Sequence, residues 1–188
     1  SAGIRVLEDR AGIDLGPFRL AAATDLDNRQ EPVRALLTDA DLRCFDAMPP
    51  DKPRFAFLHW GQEYTNTPGP REQAVAARLA AGGVELVIGS HPHRASGLTG
   101  GRKQCIAYSL GNFIFDQRRP EVSGTLLEVM FYPQGTYFLR LHPLGNLYGE
   151  HFSVKPEAAL TDQVTRRPLP GRGQPAGTYL NMQFDRRF

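Results

Sequence analysis

The sequence predicts an α/β fold in which parallel strands alternate with helices. Two compact apolar runs, at 55–58 and 84–88, flank a segment with helical spacing at 71–81. A strand, a helix and a second strand in this order form a βαβ unit, whose two strands are parallel neighbours. The 188 residues, of which 41% are hydrophobic and 22% charged, suffice for one domain with a sizeable core.

The N-terminal part of the chain is predicted to add two strands and one helix to this unit. Residues 4–7 and 18–23 are apolar and strand-like, and a polar turn separates them. Apolar residues recur with helical spacing over 31–45, where Pro32 suits the first turn of a helix. Asp25 is assigned to the turn between the second strand and this helix.

The C-terminal part is predicted to complete a sheet and then to leave it. Residues 103–108 are a third candidate strand after a flexible Gly-rich turn at 97–101. An antiparallel hairpin is expected from 125–132 and 136–141. Because the chain from about 155 is polar and rich in Pro, Gly and Arg, we divide it into a domain, 1–154, and a tail, 155–188, which we expect to be loosely ordered or wrapped over the surface.

Composition excludes several classes of function. A formal net charge of +2 gives no field that would attract nucleic acid. The two cysteines, Cys44 and Cys105, are too few for a disulfide framework or a thiolate metal site, and one bridge between them stays open. No segment approaches the roughly 18 apolar residues of a membrane span. The N-terminus lacks a signal-peptide pattern, and we expect the chain to begin inside a larger protein.

Three histidines follow the strands of the βαβ unit. His59 comes after the first strand, and His91 and His93 come after the second. Parallel strands end at the same edge of a sheet, so the three imidazoles are expected to lie together there. Residues two apart in an extended segment point the same way, which suits His91 and His93 to one metal ion or to two adjacent ions. A His-x-His pair alone is more often a loop without metal, and it is the third histidine that favours a metal site.

Neighbouring polar residues have more than one interpretation. His59 is either a ligand or a core histidine bonded to a backbone carbonyl. Glu63 orients an imidazole or pairs with one of the many arginines, and a direct ligand role is the minority alternative. Ser109 and Asn112 either brace the loops around a metal or form an ordinary tight turn, in which Asn112 bonds its own backbone.

These motifs resemble the CapA-type capsule-biosynthesis proteins, which are poly-γ-glutamate synthesis or export proteins. The resemblance spans roughly 4–145 and rests on His-Trp-Gly-Gln-Glu-Tyr at 59–64, Gly-Ser-His-Pro-His at 89–93 and the segment 108–116. That family is similar to the calcineurin-like phosphoesterases, whose fold is a layered α/β sandwich holding two metals. The resemblance implies that this chain supplies the C-terminal half of such a metallophosphatase-like sandwich.

The resemblance also implies a metal site. It puts His59 and His91 on one divalent ion and His93 on another, with Mn, Fe or Zn as candidates. It places 90–93 where phosphoesterases carry Gly-His-x-His, with Ser90 inserted after Gly89. The Asp-x-His, Gly-Asp and Asn-His motifs of the wider fold are absent from this sequence, so the site is expected to be incomplete and inactive by itself.

Two functions follow from the resemblance. One is a metal-dependent hydrolase, when complete, that acts on a phosphorylated or polyanionic substrate or polymer. The other is a non-catalytic scaffold in the synthesis or export of an anionic polymer. Half of a sandwich exposes an apolar face, which we expect a homodimer or the missing N-terminal half to cover. Relatives of this type imply the cell envelope or the extracellular face, and the residues alone leave the cytoplasm open.

Overall fold

The computed structural model describes residues 12–27, 34–35, 37–100, 104–113, 115, 122–132, 136–145, 155–156, 162–168 and 183–185. None of the helices within these residues has the length and apolar character needed to cross a membrane. The described strands are β1 (Ile13–Asp14), β2 (Arg19–Thr24), β3 (Leu26–Asp27), β4 (Arg34–Ala35), β5 (Arg54–His59), β6 (Leu86–Ser90), β7 (Leu98–Gly100), β8 (Cys105–Ala107), β9 (Gly124–Tyr132), β10 (Thr136–Gly145), β11 (Lys155–Pro156), β12 (Asp162–Pro168) and β13 (Gln183–Asp185), and the helices are α1 (Asp39–Asp46) and α2 (Pro70–Ala81).

A mixed sheet of six strands, in the order β1-β2-β5-β6-β8-β7, carries the βαβ unit. Its four inner strands are parallel, whereas β1 and β7 pair antiparallel at the two edges. The unit β5-α2-β6 has parallel, adjacent strands, as the sequence predicts. The predicted α/β class is therefore confirmed.

Both faces of this sheet are covered, by different layers. On one face, Phe45 of α1 and Leu79 of α2 share a buried cluster with Leu58 of β5. On the other face, Phe55 of β5 packs against Tyr137 of β10, with ring centres 5.6 Å apart. This alternation follows from the strand geometry, because successive side chains of a strand point to opposite faces.

The second sheet is built on the predicted hairpin. Strands β9 and β10 pair antiparallel from Thr136 opposite Tyr132 to Leu144 opposite Gly124. Strand β12 pairs with the other side of β10, and β13 pairs with β12. The division into a domain, 1–154, and a tail, 155–188, stays a prediction, while the backbone of part of that tail belongs to this sheet.

Helix α1 is shorter than the helix predicted over 31–45. It begins at Asp39 because Thr38 forms a capping box: the Thr38 hydroxyl accepts from the Asp41 N–H, and the Asp41 carboxylate accepts from the Thr38 N–H. Upstream of this cap, β4 pairs with β3. The apolar spacing upstream of Thr38 therefore gave a wrong helix start.

The prediction of a flexible Gly-rich turn at 97–101 is also wrong in part. Residues Leu98–Gly100 form β7, which pairs antiparallel with β8. Glycine-rich sequence lowers strand propensity, but backbone pairing along the open edge of β8 outweighs that preference here. The predicted strand at 4–7 lies outside the described residues.

One large side chain on the covered face of the first sheet is exposed. Phe57 lies two residues after Phe55 and is 37% exposed, whereas Phe55 is 1% exposed. Within the described residues, the second sheet thus leaves the end of β5 nearest His59 partly open. The expectation that another molecule or segment covers an apolar face stays a prediction.

Substitutions in β5 should report this difference in burial. Leu58 is fully buried, so Leu58→Ala is expected to lower the free energy of unfolding by about 2–5 kcal/mol. Phe57→Ala removes a larger side chain but should cost less, because much of that side chain already contacts solvent. Urea denaturation of both variants measures the two changes. An equal or larger loss for Phe57→Ala would mean that Phe57 is covered in solution.

Candidate functional site

The three predicted histidines meet at one edge of the first sheet. His59 ends β5 and lies in register with Ser90, which ends β6, and His91 follows directly. The ring centres of His59 and His91 are 4.7 Å apart, and those of His91 and His93 are 6.1 Å apart. Parallel pairing of β5 and β6 therefore brings together the side chains that the sequence analysis selected.

The loop that carries His91 and His93 is not extended, so the predicted reason for their shared direction is wrong. His91 has φ 102° and His93 has φ 59°. The left-handed backbone at both residues bends the chain sharply, and the bend places their rings side by side. Non-glycine residues with such φ values cost of order 1–3 kcal/mol each and concentrate at functional sites. Tyr64, which donates its N–H to the Pro92 carbonyl, is a third such residue, with φ 61°.

The segment that begins at Tyr108 is held by close contacts against the sheet edge that carries the histidines. The Trp60 indole N–H donates to the Tyr108 carbonyl over 2.9 Å, and the Leu110 N–H donates to the Gly89 carbonyl over 2.9 Å. A Cβ atom at Gly89 would lie less than 3.0 Å from both the Tyr108 carbonyl oxygen and the Trp60 nitrogen. Glycine at this position therefore allows the segment after β8 to reach the histidines.

Ser90 orients the His59 ring. The Ser90 hydroxyl lies 3.3 Å from the Leu58 carbonyl, to which it donates, and 3.3 Å from Nδ1 of His59. A hydroxyl that donates to a carbonyl accepts from the imidazole, so this arrangement places the His59 proton on Nδ1. The lone pair of Nε2 is then available to an ion, as in many metal-binding histidines.

Asn112 orients the His93 ring in the same way. The Asn112 side-chain oxygen lies 2.7 Å from Nδ1 of His93, and Asn112 is 6% exposed. Of the two interpretations of Asn112, this contact favours the bracing one. Glu63 lies on the opposite side of the ring, with its carboxylate 3.8 Å from Nε2 of His93.

Ser109 braces the loops through hydrogen bonds to Gly111 and Ser96. It is 1% exposed, and its hydroxyl accepts from the Gly111 N–H over 3.0 Å. Its own N–H donates to the Ser96 hydroxyl over 2.9 Å. Ser109 thus ties the loop after the histidines to the turn that carries Asn112.

The electrostatics of the site favour neutral imidazoles at His59 and His91. Burial lowers the pKa of His59, and the neighbouring His93 lowers it further. Burial likewise lowers the pKa of His91, and His59 adds to this effect, which Glu63 opposes. Neutral imidazole is the form that binds metal ions.

The geometry fits one ion better than two. Two imidazoles on one ion have ring centres roughly 5 Å apart, because the metal–nitrogen bond is about 2.1 Å long. His59 and His91, at 4.7 Å, match this spacing, whereas the 6.1 Å between His91 and His93 exceeds it. Within the described residues, no group of three or more His, Cys, Asp or Glu side chains is arranged to hold a metal ion. The described ligand set is therefore incomplete.

A cavity of about 720 Å³ opens beside His91. This volume lies in the range of small-molecule sites. Its wall includes Trp60, Glu63, Arg71, Glu72, Tyr108 and Ser109.

Aromatic rings enclose His93. Tyr64 stacks on the His93 ring with 5.8 Å between ring centres. Phe115 lies 5.2 Å away by the same measure, and 46% of it is exposed. These rings limit the access of water to His93 on two sides.

The sequence analysis missed two residues of the site, Asp25 and Arg71. Asp25 was assigned to a turn, but it follows β2 at the same sheet edge and is 2% exposed. Its carboxylate accepts from Nε and Nη2 of Arg71 over 2.9 and 2.8 Å, and its backbone N–H donates to the His59 carbonyl. The pairing depends on β2 lying next to β5, which no local pattern in the sequence specifies.

Comparisons with known proteins match the same segment to a bacterial family. Residues 54–117 match the family described as "Bacterial capsule synthesis protein PGA_cap". The chain is 35% identical over 106 residues to "Capsule biosynthesis protein CapA" of Bacillus anthracis. The aligned residues make up 56% of this chain and 25% of that protein. The chain is also 42% identical over 59 residues to "PGA biosynthesis protein CapA" of Bacillus subtilis strain 168. Here the aligned residues make up 31% of this chain and 16% of that protein.

The matched segment contains all three histidines, Glu63, Ser109 and Asn112. The chain spans about a quarter or less of the length of these two relatives. These matches show that the segment is similar to CapA-type capsule biosynthesis proteins.

The protonation of His59 and His91 can be measured directly. We expect both to titrate below the ordinary value of 6.5. The unfolded chain then binds more protons than the folded chain between 6.5 and the lowered pKa, so the free energy of unfolding should fall as pH drops through this window. Titration of the imidazole NMR resonances, assigned with His59→Gln and His91→Gln, gives the midpoints. Midpoints at or above 6.5 would contradict the burial of these rings.

The role of Asn112 can be tested through the His93 tautomer. In the wild type, we expect the His93 proton on Nδ1, where the Asn112 oxygen accepts it. Asn112→Ala removes this acceptor and should move the proton toward Nε2, whereas Asn112→Asp keeps an acceptor and should retain it. Long-range ¹H–¹⁵N NMR spectra distinguish the two tautomers. An unchanged tautomer in Asn112→Ala would show that Asn112 does not orient the ring.

Proposed function

We propose that this chain supplies the histidine-bearing part of a CapA-type capsule biosynthesis protein that acts, when complete, as a metal-dependent hydrolase. The observation that carries the proposal is the approach of His59 and His91, with ring centres 4.7 Å apart, inside the matched segment. Backbone strain at His91 and His93 supports it further, because such strain concentrates at functional sites.

The layering of the chain supports a metallophosphatase-like sandwich. Two sheets pack face to face through a shared apolar cluster, and both helices contribute to a cluster on the outer face of the first sheet. The histidines lie at the carboxyl ends of the inner parallel strands, where open α/β sheets place their ligands. In this proposal the chain forms the C-terminal part of the sandwich.

In this proposal, histidines of the chain would bind the metal ion and neighbouring polar residues would orient their rings. His59 and His91 would bind one divalent ion, with Mn, Fe or Zn as candidates, and His93 stands beside them for a second ion or a proton. When bound, such an ion supplies Lewis-acid polarisation of a phosphoryl or carbonyl oxygen. Ser90 and Asn112 fix the ring orientations, and the Glu63 carboxylate lies beside Nε2 of His93.

The second candidate function is a non-catalytic scaffold in the synthesis or export of an anionic polymer. It is favoured because, within the described residues, no group of three or more His, Cys, Asp or Glu side chains is arranged to hold a metal ion. The two relatives carry capsule and PGA biosynthesis in their names, which fits either function. In both cases we propose a phosphorylated or polyanionic substrate or polymer, association with a second copy or an N-terminal half, and a place at the cell envelope.

Calorimetric titration with Zn²⁺ and Mn²⁺ tests the metal proposal. Neutral imidazoles do not offset the charge of two divalent ions, so we expect at most one ion, bound weakly. His59→Ala and His91→Ala should abolish binding, and His93→Ala should weaken it. His142→Ala is the matched control, because His142 pairs with Glu128 on the second sheet.

Two outcomes would count against this assignment. Tight binding of two ions that survives His91→Ala would show that other ligands form the site. No binding to this chain or to the full-length protein would favour the scaffold. Phosphodiester and peptide substrates tested on the metal-loaded full-length protein then separate a hydrolase from a scaffold that only binds metal.

A further inference from the structure

Arg71, in the first turn of α2, has a guanidinium group that is fixed in place. Its Nε and Nη2 donate to the two carboxylate oxygens of Asp25, and Nη2 also donates to the Leu37 carbonyl. The Asp25 side chain is only 3% exposed, and it also accepts from the Leu37 N–H over 2.8 Å. A planar guanidinium held at two edges of its fork has little freedom to move.

The rest of the guanidinium is available to a ligand. Within the described part of the chain, no hydrogen bond engages Nη1 of Arg71, and 44% of the side chain is exposed. Arg71 lines the cavity of about 720 Å³ that His91 also lines. The two N–H groups of Nη1 are strong donors, and their best partners are carboxylate and phosphate oxygens.

The charges around the cavity limit what it can accept. Glu63 and Glu72 also line it. The Glu72 carboxylate accepts from the Gly69 N–H over 2.6 Å, and Glu63 lies beside His93. Since Arg71 is the sole Arg or Lys among the described lining residues, the cavity offers a site for one anionic group of a ligand at a time.

Neutral polar side chains form much of the remaining wall. Gln62, Thr65, Asn66 and Thr67 lie along the segment between β5 and α2. They can bond to uncharged polar groups such as amides or hydroxyls. This part of the cavity therefore suits the uncharged portion of a ligand that carries its anionic group at one end.

We propose that Arg71 is a specificity-determining residue that binds a single carboxylate or phosphate group of the ligand, with Asp25 as its positioning residue. The proposal deepens the proposed function and rests on it for the reaction at the histidines. Binding of the anionic group itself needs no metal, so it can be tested separately.

The test is an NMR titration of the full chain in the presence of a chelator. Inorganic phosphate and acetate are added separately, and the Arg71 Nε–H resonance is followed. We expect a saturable shift with at least one anion, and the tighter of the two identifies a phosphate or a carboxylate as the natural group. Arg71→Lys should weaken binding, followed at neighbouring backbone resonances, by about tenfold or more, because a hydrogen bond to a charged group is lost.

Arg78→Lys is the matched control, because Arg78 also lies on α2, pairs with Asp46 and does not line the cavity. It should leave the affinity unchanged. Asp25→Asn removes the counter-charge while keeping an acceptor for the Leu37 N–H, so it should tighten anion binding. If the Asp25–Arg71 pair were purely structural, Asp25→Asn would not increase the affinity for the anion. Circular dichroism checks that each variant is folded.

The proposal is overturned if neither anion shifts the Arg71 resonance, or if Arg71→Lys and Arg78→Lys weaken binding equally. Its failure is distinguishable from failure of the proposed function. Anion binding without metal binding would support the anion site at Arg71 and contradict the metal assignment. Metal binding that depends on His91, without anion binding, would support the metal assignment and contradict the anion site.

Discussion

Parallel pairing between β5 and β6 is the interaction on which the candidate site depends. The register that sets His59 opposite Ser90 brings residues 31 positions apart in the sequence into one cluster. Helix α2 makes this pairing possible, because parallel neighbours need a long crossover connection. A shift of one residue in this register would turn every side chain of β5 to the other face and move His59 away from His91.

Conformational strain and polar contacts then refine what the pairing brings together. His91 and His93 adopt left-handed backbone conformations, and the segment tolerates them because it is held on several sides. The Pro92 carbonyl accepts from Tyr64, and the His93 carbonyl accepts from Ser123. Packing and hydrogen bonds elsewhere thus hold two histidines in positions that an isolated peptide would rarely adopt.

The sequence predicts the parts of this protein that depend on local pattern. The apolar runs around Phe55 and Val87 and the helix between them indicate the βαβ unit, and that unit places His59 near His91. The pattern does not predict the start of α1, because the cap at Thr38 competes with the apolar spacing before it. It also misses Asp25, whose partner Arg71 is 46 positions away and becomes a neighbour only through the pairing of β2 with β5.

The short outer strands of the first sheet constrain how copies of this chain could associate. Among the described residues, β1 has two residues and β7 has three, and they pair antiparallel at opposite edges of the parallel core. Such brief edge strands offer few free backbone groups for another strand to join. Growth by sheet extension is therefore disfavoured at these two margins.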